Sequence, residues 1–307
     1  MNRIIIIFLL FVYLAGSVGL LSSSGFQFSN NICITNASTD LSENDKKIIS
    51  SGFEKDERDI IRLPIVMYHS ILHNKKGTYI VSEKQLECDL IAFKNAGFTT
   101  VFPSEIIDFV KTGKILPPKP MLITFDDGHY NNLYYALPLL KKYNIKSLID
   151  IIGKFSNHST VSGDHSKIEY SHLTWSQIHE LYSSGHFEVG NHSYGMHNYK
   201  PRFGISQKNS ESDEQYRKIL TEDIGLLQEK LKTFVGVTPK VFAYPFGKYC
   251  DNAKKILVEM GFEMFLTCNE GVSNIHKFKP KSISLLKRIN RSGYYTTQEL
   301  LSKINTM

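Results

Sequence analysis

The sequence predicts one α/β domain built on parallel strands, and three observations carry that expectation. Short apolar runs alternate with amphipathic stretches of helical period over roughly 240 residues, the pattern of repeated βα units. The punctuation repeats: "NAGFTTV", "SSGHFEVG" and "EMGFEMFL" each end a helix on glycine and turn straight into a strand. With 307 residues, 42% of them hydrophobic and 21% charged, the chain can supply one large core or two small ones. A closed barrel and an open sheet both satisfy this pattern. In either, ligand-handling groups gather at the carboxyl ends of the strands.

The chain opens on "MNRIIIIFLLFVYLAGSVGLL". Arg3 precedes an apolar run of 18 residues from Ile4 to Leu21, at the lower edge of what spans a bilayer. Residues 1–22 read as a signal peptide or membrane anchor, so the protein is expected to be exported, anchored at the cell surface or secreted. Membrane contact is expected through this segment only. Residues 23–62, rich in Ser, Asn, Asp and Lys, read as a flexible tether. Residues 63–307 form the folded domain.

That domain begins with the apolar strand "LPIVMYHS". Ser82 and Gln85 form a capping-box signature ahead of a helix with Leu86, Leu90 and Phe93 on one face, closed by Gly97. "FTTVF" is a strand, and "PSEIIDFVKTG" is a helix with proline at its start and glycine at its end. "PMLITF" is a strand, "NNLYYALPLLKKYN" a helix with Pro138 as an irregularity, and "IKSLIDII" a strand. Residues 153–172 read as a polar loop. Thr174 and Gln177 cap a helix that ends at Gly185, and "HFEVG" is a strand. A loop over 198–212 leads to a long helix over about 212–234. "KVFAYPFG" is a strand and turn, "DNAKKILVEMG" a helix, "FEMFLT" a strand, and "TTQELLSKI" a terminal helix.

Lys and Arg outnumber Asp and Glu 36 to 30, a net charge of +6. This mild excess suits an anionic wall or membrane surface, and the chain lacks the basic-aromatic tract of a nucleic-acid binder. No nucleic-acid partner is expected, and a monomer is. The four cysteines, Cys33, Cys88, Cys250 and Cys268, contain no C-x-x-C pair, which argues against a disulfide framework or a cysteine metal site.

Four strand ends carry polar groups: His69; Asp126 and Asp127; Asn191, His192 and then His197; and the Tyr244-Pro245-Phe246-Gly247 turn. Parallel strands bring these to one rim. Two carboxylates side by side at the end of a buried run cost free energy unless a cation offsets their repulsion. Gly128 permits the tight turn that lets both face the rim. Two histidines and a carboxylate are a recurrent catalytic metal set that leaves coordination positions for water.

The strings "LITFDDG", "NHSYGMH" and "FAYPFG", in this order after "LPIVMYHS", resemble the polysaccharide deacetylases, the NodB-like carbohydrate esterase family 4, over about residues 63–290. The M-Y-H start, the Y-P-F-G turn and the histidine spacing look most like the poly-N-acetylglucosamine deacetylase branch. The resemblance implies a distorted (β/α) barrel of about seven parallel strands. It implies an exported, metal-dependent hydrolase that removes N-acetyl groups from a cell-wall or surface glycan containing N-acetylglucosamine, such as peptidoglycan or poly-N-acetylglucosamine. Asp127, His192 and His197 would hold a divalent metal, zinc by default, with iron, cobalt or nickel as alternatives. Asp126 would be the general base, and the Phe246 backbone N–H, with Tyr244 beside it, would meet the oxyanion or substrate.

The chain departs from the family pattern in several places. Many members space the two histidines four apart; here His192 and His197 are five apart, about 140° round an ideal helix. A loop or bulge must therefore intervene, and Gly195 eases it. Many members carry an arginine shortly before the proline of the third motif to hold the base. "VFAYPFG" has none, and Arg288 in "SLLKRIN" takes that role in our reading. A late catalytic histidine is also absent, which leaves His69 as the candidate acid or substrate contact. These absences keep two other readings open: a non-catalytic glycan-binding protein on the same fold, and an O-acetyl esterase.

Overall fold

The computed structural model describes residues 58–307. The expected signal or anchor segment, the tether up to residue 57 and Cys33 lie outside the described residues. The chain from Asp56 to Met307 forms one compact unit.

Order begins a little before residue 63. The first strand, β1 (Ile60–Leu63), pairs antiparallel with β11 (Ser273–His276), in register from Ile60 opposite His276 to Leu63 opposite Ser273. The tether reading failed for these residues because their partner lies some 210 positions away, beyond any local pattern. β2 (Ile65–Tyr68), β3 (Ser70–Ile71) and β4 (Ile80–Val81) follow. Then come α1 (Glu83–Asn95), β5 (Thr99–Thr100), α2 (Pro103–Thr112) and β6 (Pro120–Phe125). A π-helical turn (Asn132–Ala136) leads into α3 (Leu137–Tyr143) and β7 (Ser147–Ile151). α4 (Gly153–Ser162), α5 (Trp175–Ser183), β8 (Phe187–Asn191), α6 (Asp213–Phe234) and β9 (Val241–Ala243) continue the alternation. α7 (Asp251–Glu259), β10 (Met264–Glu270), β11, β12 (Leu286–Asn290) and α8 (Thr297–Thr306) complete it.

Seven parallel strands close on themselves in the order β2-β12-β10-β9-β8-β7-β6, with β6 returning to β2. Closure leaves the ring without an exposed edge and settles the choice between barrel and open sheet. β6 is buried at all six positions, as a parallel strand covered on both faces must be. "FTTVF" contributes only the two-residue β5, which pairs with the start of β6 and stands outside the ring.

The capping boxes at Ser82–Gln85 and Thr174–Gln177 form as expected. Pro138 sits at the start of α3, where its missing N–H costs little, and the preceding turn widens to π geometry. The expected loop over 153–172 is in part a helix, α4. Its inner face is Gly153, Ser156 and Ser159, so small residues rather than an apolar stripe pack it down. A Cβ on Gly153 would lie 2.5 Å from the Tyr194 ring. Hydrophobic periodicity cannot register a helix seated by close approach of backbone.

Candidate metal centre and active-site cavity

At the end of β6 the chain reverses through two successive left-handed residues, Asp127 (φ 72°) and Gly128 (φ 70°). A left-handed conformation is strained for aspartate and suits glycine. It lets adjacent carboxylates share one rim: Asp126 and Asp127 both line a cavity of about 650 Å³, with His69, His192, His197 and Phe246.

Asp127 lies 3.6 Å from Nε2 of both His192 and His197 through Oδ1. One ligand atom from each residue falls within 4.8 Å of the others. Asp127 Oδ1 is buried without a hydrogen-bond partner. A buried carboxylate oxygen with no hydrogen-bond partner, between two imidazole nitrogens, fits a cation-binding donor set. His192 Nδ1 donates to the Ala243 carbonyl of β9 at 2.7 Å, which leaves Nε2 bare to face Asp127. Burial, then the charge of His192, lowers the pKa of His197 to about 4, so its ring is neutral and able to ligate near neutral pH.

The five-residue spacing is accommodated by a loop after β8, as the geometry required. The residue that turns it is Ser193 (φ 69°) rather than Gly195. Asn191 Oδ1 accepts from the Ser193 N–H at 2.9 Å, and Asp223 on α6 accepts from Tyr194 and Gly195 at 2.9 and 2.8 Å. These bonds from polar side chains hold the non-helical backbone that glycine was expected to permit.

Asp126 is gripped by Arg288 from β12: Nη1 to Oδ1 at 2.7 Å and Nη2 to Oδ2 at 2.8 Å. Arg288 Nε donates to the Thr267 carbonyl at 2.8 Å, and Nη1 reaches Thr124 Oγ1 at 3.3 Å. Burial alone would raise the Asp126 pKa, but the Arg288 charge and hydrogen bonds, together with the charges of His192 and His69, outweigh it and hold the carboxyl below its usual range. His69 lines the same cavity, its Nδ1 is buried without a partner, and its ring lies 4.7 Å from Tyr79. Burial lowers its pKa and keeps it neutral at rest. Phe246 occupies a left-handed position (φ 58°) in the Pro245–Gly247 turn, its ring 4.2 Å from that of His197.

Tyr244 is placed elsewhere. Its side chain is fully buried, packed between Phe242 and Phe265 under α6 and α7, and does not line the cavity. Side chains two apart along an extended segment share a face, so Tyr244 follows Phe242 outward into the core, against the expected substrate contact. Trp175 is core, stacked on Phe234. Cys88, Cys250 and Cys268 are free.

Two residues passed over in the sequence belong to this neighbourhood. His129 Nε2 lies 3.5 Å from Asp127 Oδ2, on the side away from His192 and His197. Asp150 on β7 is buried with neither carboxylate oxygen hydrogen-bonded, and burial followed by the Asp126 charge pushes its pKa well above the usual range. A carboxyl inside an apolar strand was the available signal for Asp150; His129 carried none beyond adjacency to the Asp pair.

The family model for polysaccharide deacetylase matches residues 113–265, the stretch that holds both aspartates, both histidines and the Pro245 turn. The chain belongs to the polysaccharide deacetylase family. Among relatives of this family member, the Bacillus subtilis (strain 168) protein YxkH is 27% identical over 213 residues, covering 69% of this chain and 67% of that one. The poly-beta-1,6-N-acetyl-D-glucosamine N-deacetylase of Escherichia coli (strain K12) is 26% identical over 58% of this chain, but that match spans only 29% of the Escherichia coli protein. In fold, the deacetylase superposes on IcaB from Ammonifex degensii with a TM-score of 0.63 at 24% identity, covering 80% of this chain and 97% of the other. It superposes on the Streptococcus pyogenes deacetylase PplD, solved with acetate, with a TM-score of 0.64 at 21% identity, covering 80% and 98%.

Proposed function

We propose that this protein is an exported, metal-dependent N-deacetylase of a surface or cell-wall glycan containing N-acetylglucosamine, with a poly-N-acetylglucosamine type polymer as the leading substrate. The observation that carries the reading is the pairing, in one open cavity, of a largely buried Asp-His-His donor set with a second aspartate held off it by arginine. The names of the Escherichia coli and staphylococcal relatives support the polymer. The apolar N-terminal run supports export.

Asp127, His192 and His197 would hold the divalent ion, zinc by default, with iron, cobalt or nickel compatible with the same donors. When bound, the ion supplies Lewis-acid polarisation of the acetamide carbonyl and lowers the pKa of water beside it. Asp126, kept ionised and fixed by Arg288, takes the proton from the attacking water. The Phe246 N–H donates to the developing oxyanion, a contact typically worth about 3–4 kcal/mol. The C–N bond breaks, acetate forms, and the amine leaves with the proton that Asp126 collected. His69, in the same cavity with an unpartnered Nδ1, is the group we assign to pass it on.

The test is acetate release from defined N-acetylglucosamine oligomers, with and without a chelator and across several added metals. Release that is abolished by chelation and restored by metal is expected. Oligomer binding without release under any metal would assign the non-catalytic reading. Faster release from O-acetylated xylan than from the oligomers would assign the esterase.

A further inference from the structure

The loops that precede the barrel strands, at the end opposite the catalytic rim, carry a basic surface with exposed apolar side chains. Its centre is the string Lys277-Phe278-Lys279-Pro280-Lys281, between β11 and β12. Phe278 is 63% exposed and sits in a left-handed conformation (φ 58°). A bulky side chain there costs free energy, and an exposed ring recovers little of it by burial, so folding alone does not account for the choice. The Phe278 ring lies over Gly113, where a Cβ would fall 2.5 Å from its Cζ. Lys114 and Ile115, the latter 56% exposed, follow Gly113 directly in the chain, in the same stretch that leads into β6. Lys111, Lys240, Lys254 and Lys281 line an adjoining cavity. Glu263 pairs with two of these lysines, Asp108 pairs with Lys114 and Asp59 is exposed on the same face, so among the described residues acidic groups are present but outnumbered.

The chain also enters the barrel on this face. The Lys277 N–H donates to the Asp59 carbonyl at 2.9 Å, and Ile60, 56% exposed, stands opposite His276. The apolar run Ile4–Leu21 lies upstream of this point in the sequence.

We propose that this face rests on an anionic lipid surface, with Phe278 and Ile115 in the headgroup layer and the surrounding lysines against the lipid phosphates. Lysines flanking an exposed aromatic match that boundary, since the ring gains from apolar contact and the ammonium groups from negative surface potential. An anionic polymer would use the lysines and leave Phe278 without a role. Because the face lies at the amino ends of the strands, docking holds the catalytic cavity outward, toward glycan beyond the membrane.

Residues 56–307 carry every described strand and helix and all three apolar clusters, so this unit has its own core and can be tested apart from the N-terminal run. Cosedimentation with vesicles of phosphatidylglycerol and phosphatidylcholine in equal parts should show binding that weakens with salt and is absent on phosphatidylcholine alone. Each lysine near such a surface is worth about fivefold, so Lys279→Glu with Lys281→Glu should weaken binding by at least about tenfold. Phe278→Asn relieves the backbone and should keep or raise thermal stability while cutting vesicle binding several-fold. Both variants should release acetate from soluble oligomers at the parent rate. No partitioning to anionic vesicles, or equal partitioning by parent and both variants, overturns the proposal. Soluble polyphosphate bound as tightly as vesicles, regardless of Phe278→Asn, would assign the face to an anionic polymer and overturn it as well.

Discussion

Asp126 and Asp127 are neighbours in sequence with opposite surroundings, and each substitution should report its own. Asp127 Oδ1 is buried, unpaired and flanked by His192 and His197, whereas Asp126 is saturated by Arg288. Asp126→Asn should keep metal, measured by chelator competition, and lose about a thousandfold in acetate release, within the usual range for a general base. Asp127→Ala should lose both. Near-parental turnover by Asp126→Asn would remove it from the mechanism. Arg288→Met would strand a buried carboxylate, since Arg288 and Asp126 are 1% and 2% exposed. A loss of about 3–5 kcal/mol by urea unfolding is expected, a structural cost separable from the catalytic one.

Packed strands and helices set the positions of these side chains, and two pairs of elements can be tested directly. β7 and β8 meet with Asp150 opposite Gly190, and a Cβ on Gly190 would lie 2.0 Å from Asp150 Oδ1. Gly190→Ala should cost about 1–3 kcal/mol from overpacking, and Asp150→Ala in the same chain should recover most of it. Additive losses would show that the two positions do not share that space. α6 steadies the loop bearing His197 through the two Asp223 hydrogen bonds. Asp223→Ala should leave secondary structure intact and weaken metal affinity by about 10–100-fold, the usual cost of losing a group that orients a ligand.

For the whole molecule, pH and stability are linked through buried histidine. Burial, then the charge of His129, lowers the His172 pKa from 6.5 to about 4. Between those values the unfolded chain takes up a proton that the folded chain refuses. The His172 contribution is therefore complete above pH 6.5 and is lost as pH falls toward 4. The drop from pH 7 to pH 5 should be no more than about 2 kcal/mol, because His172 is partly exposed to screening solvent. Denaturant titrations at the two pH values should show it, and His172→Gln should flatten the difference.

The sequence by itself determined the strand–helix alternation, the cap positions and the residues at the strand ends, because these are written in local spacing of apolar, capping and glycine residues. Tertiary structure decided what local spacing cannot express. Closure into a ring depends on β2 meeting β6, and β1 is a strand only because β11 returns to it. α4 packs on small residues that leave no apolar stripe. Arg288 reaches Asp126 across 162 residues of chain, and Asp150 enters the neighbourhood beside them. Tyr244, in a motif that reads as part of the rim, turns into the core because strand alternation and the packing of α6 and α7 decide where its ring goes. Motif order identified which residues could do the chemistry; only the closed barrel determined which of them face one another, because long-range backbone pairing sets those distances.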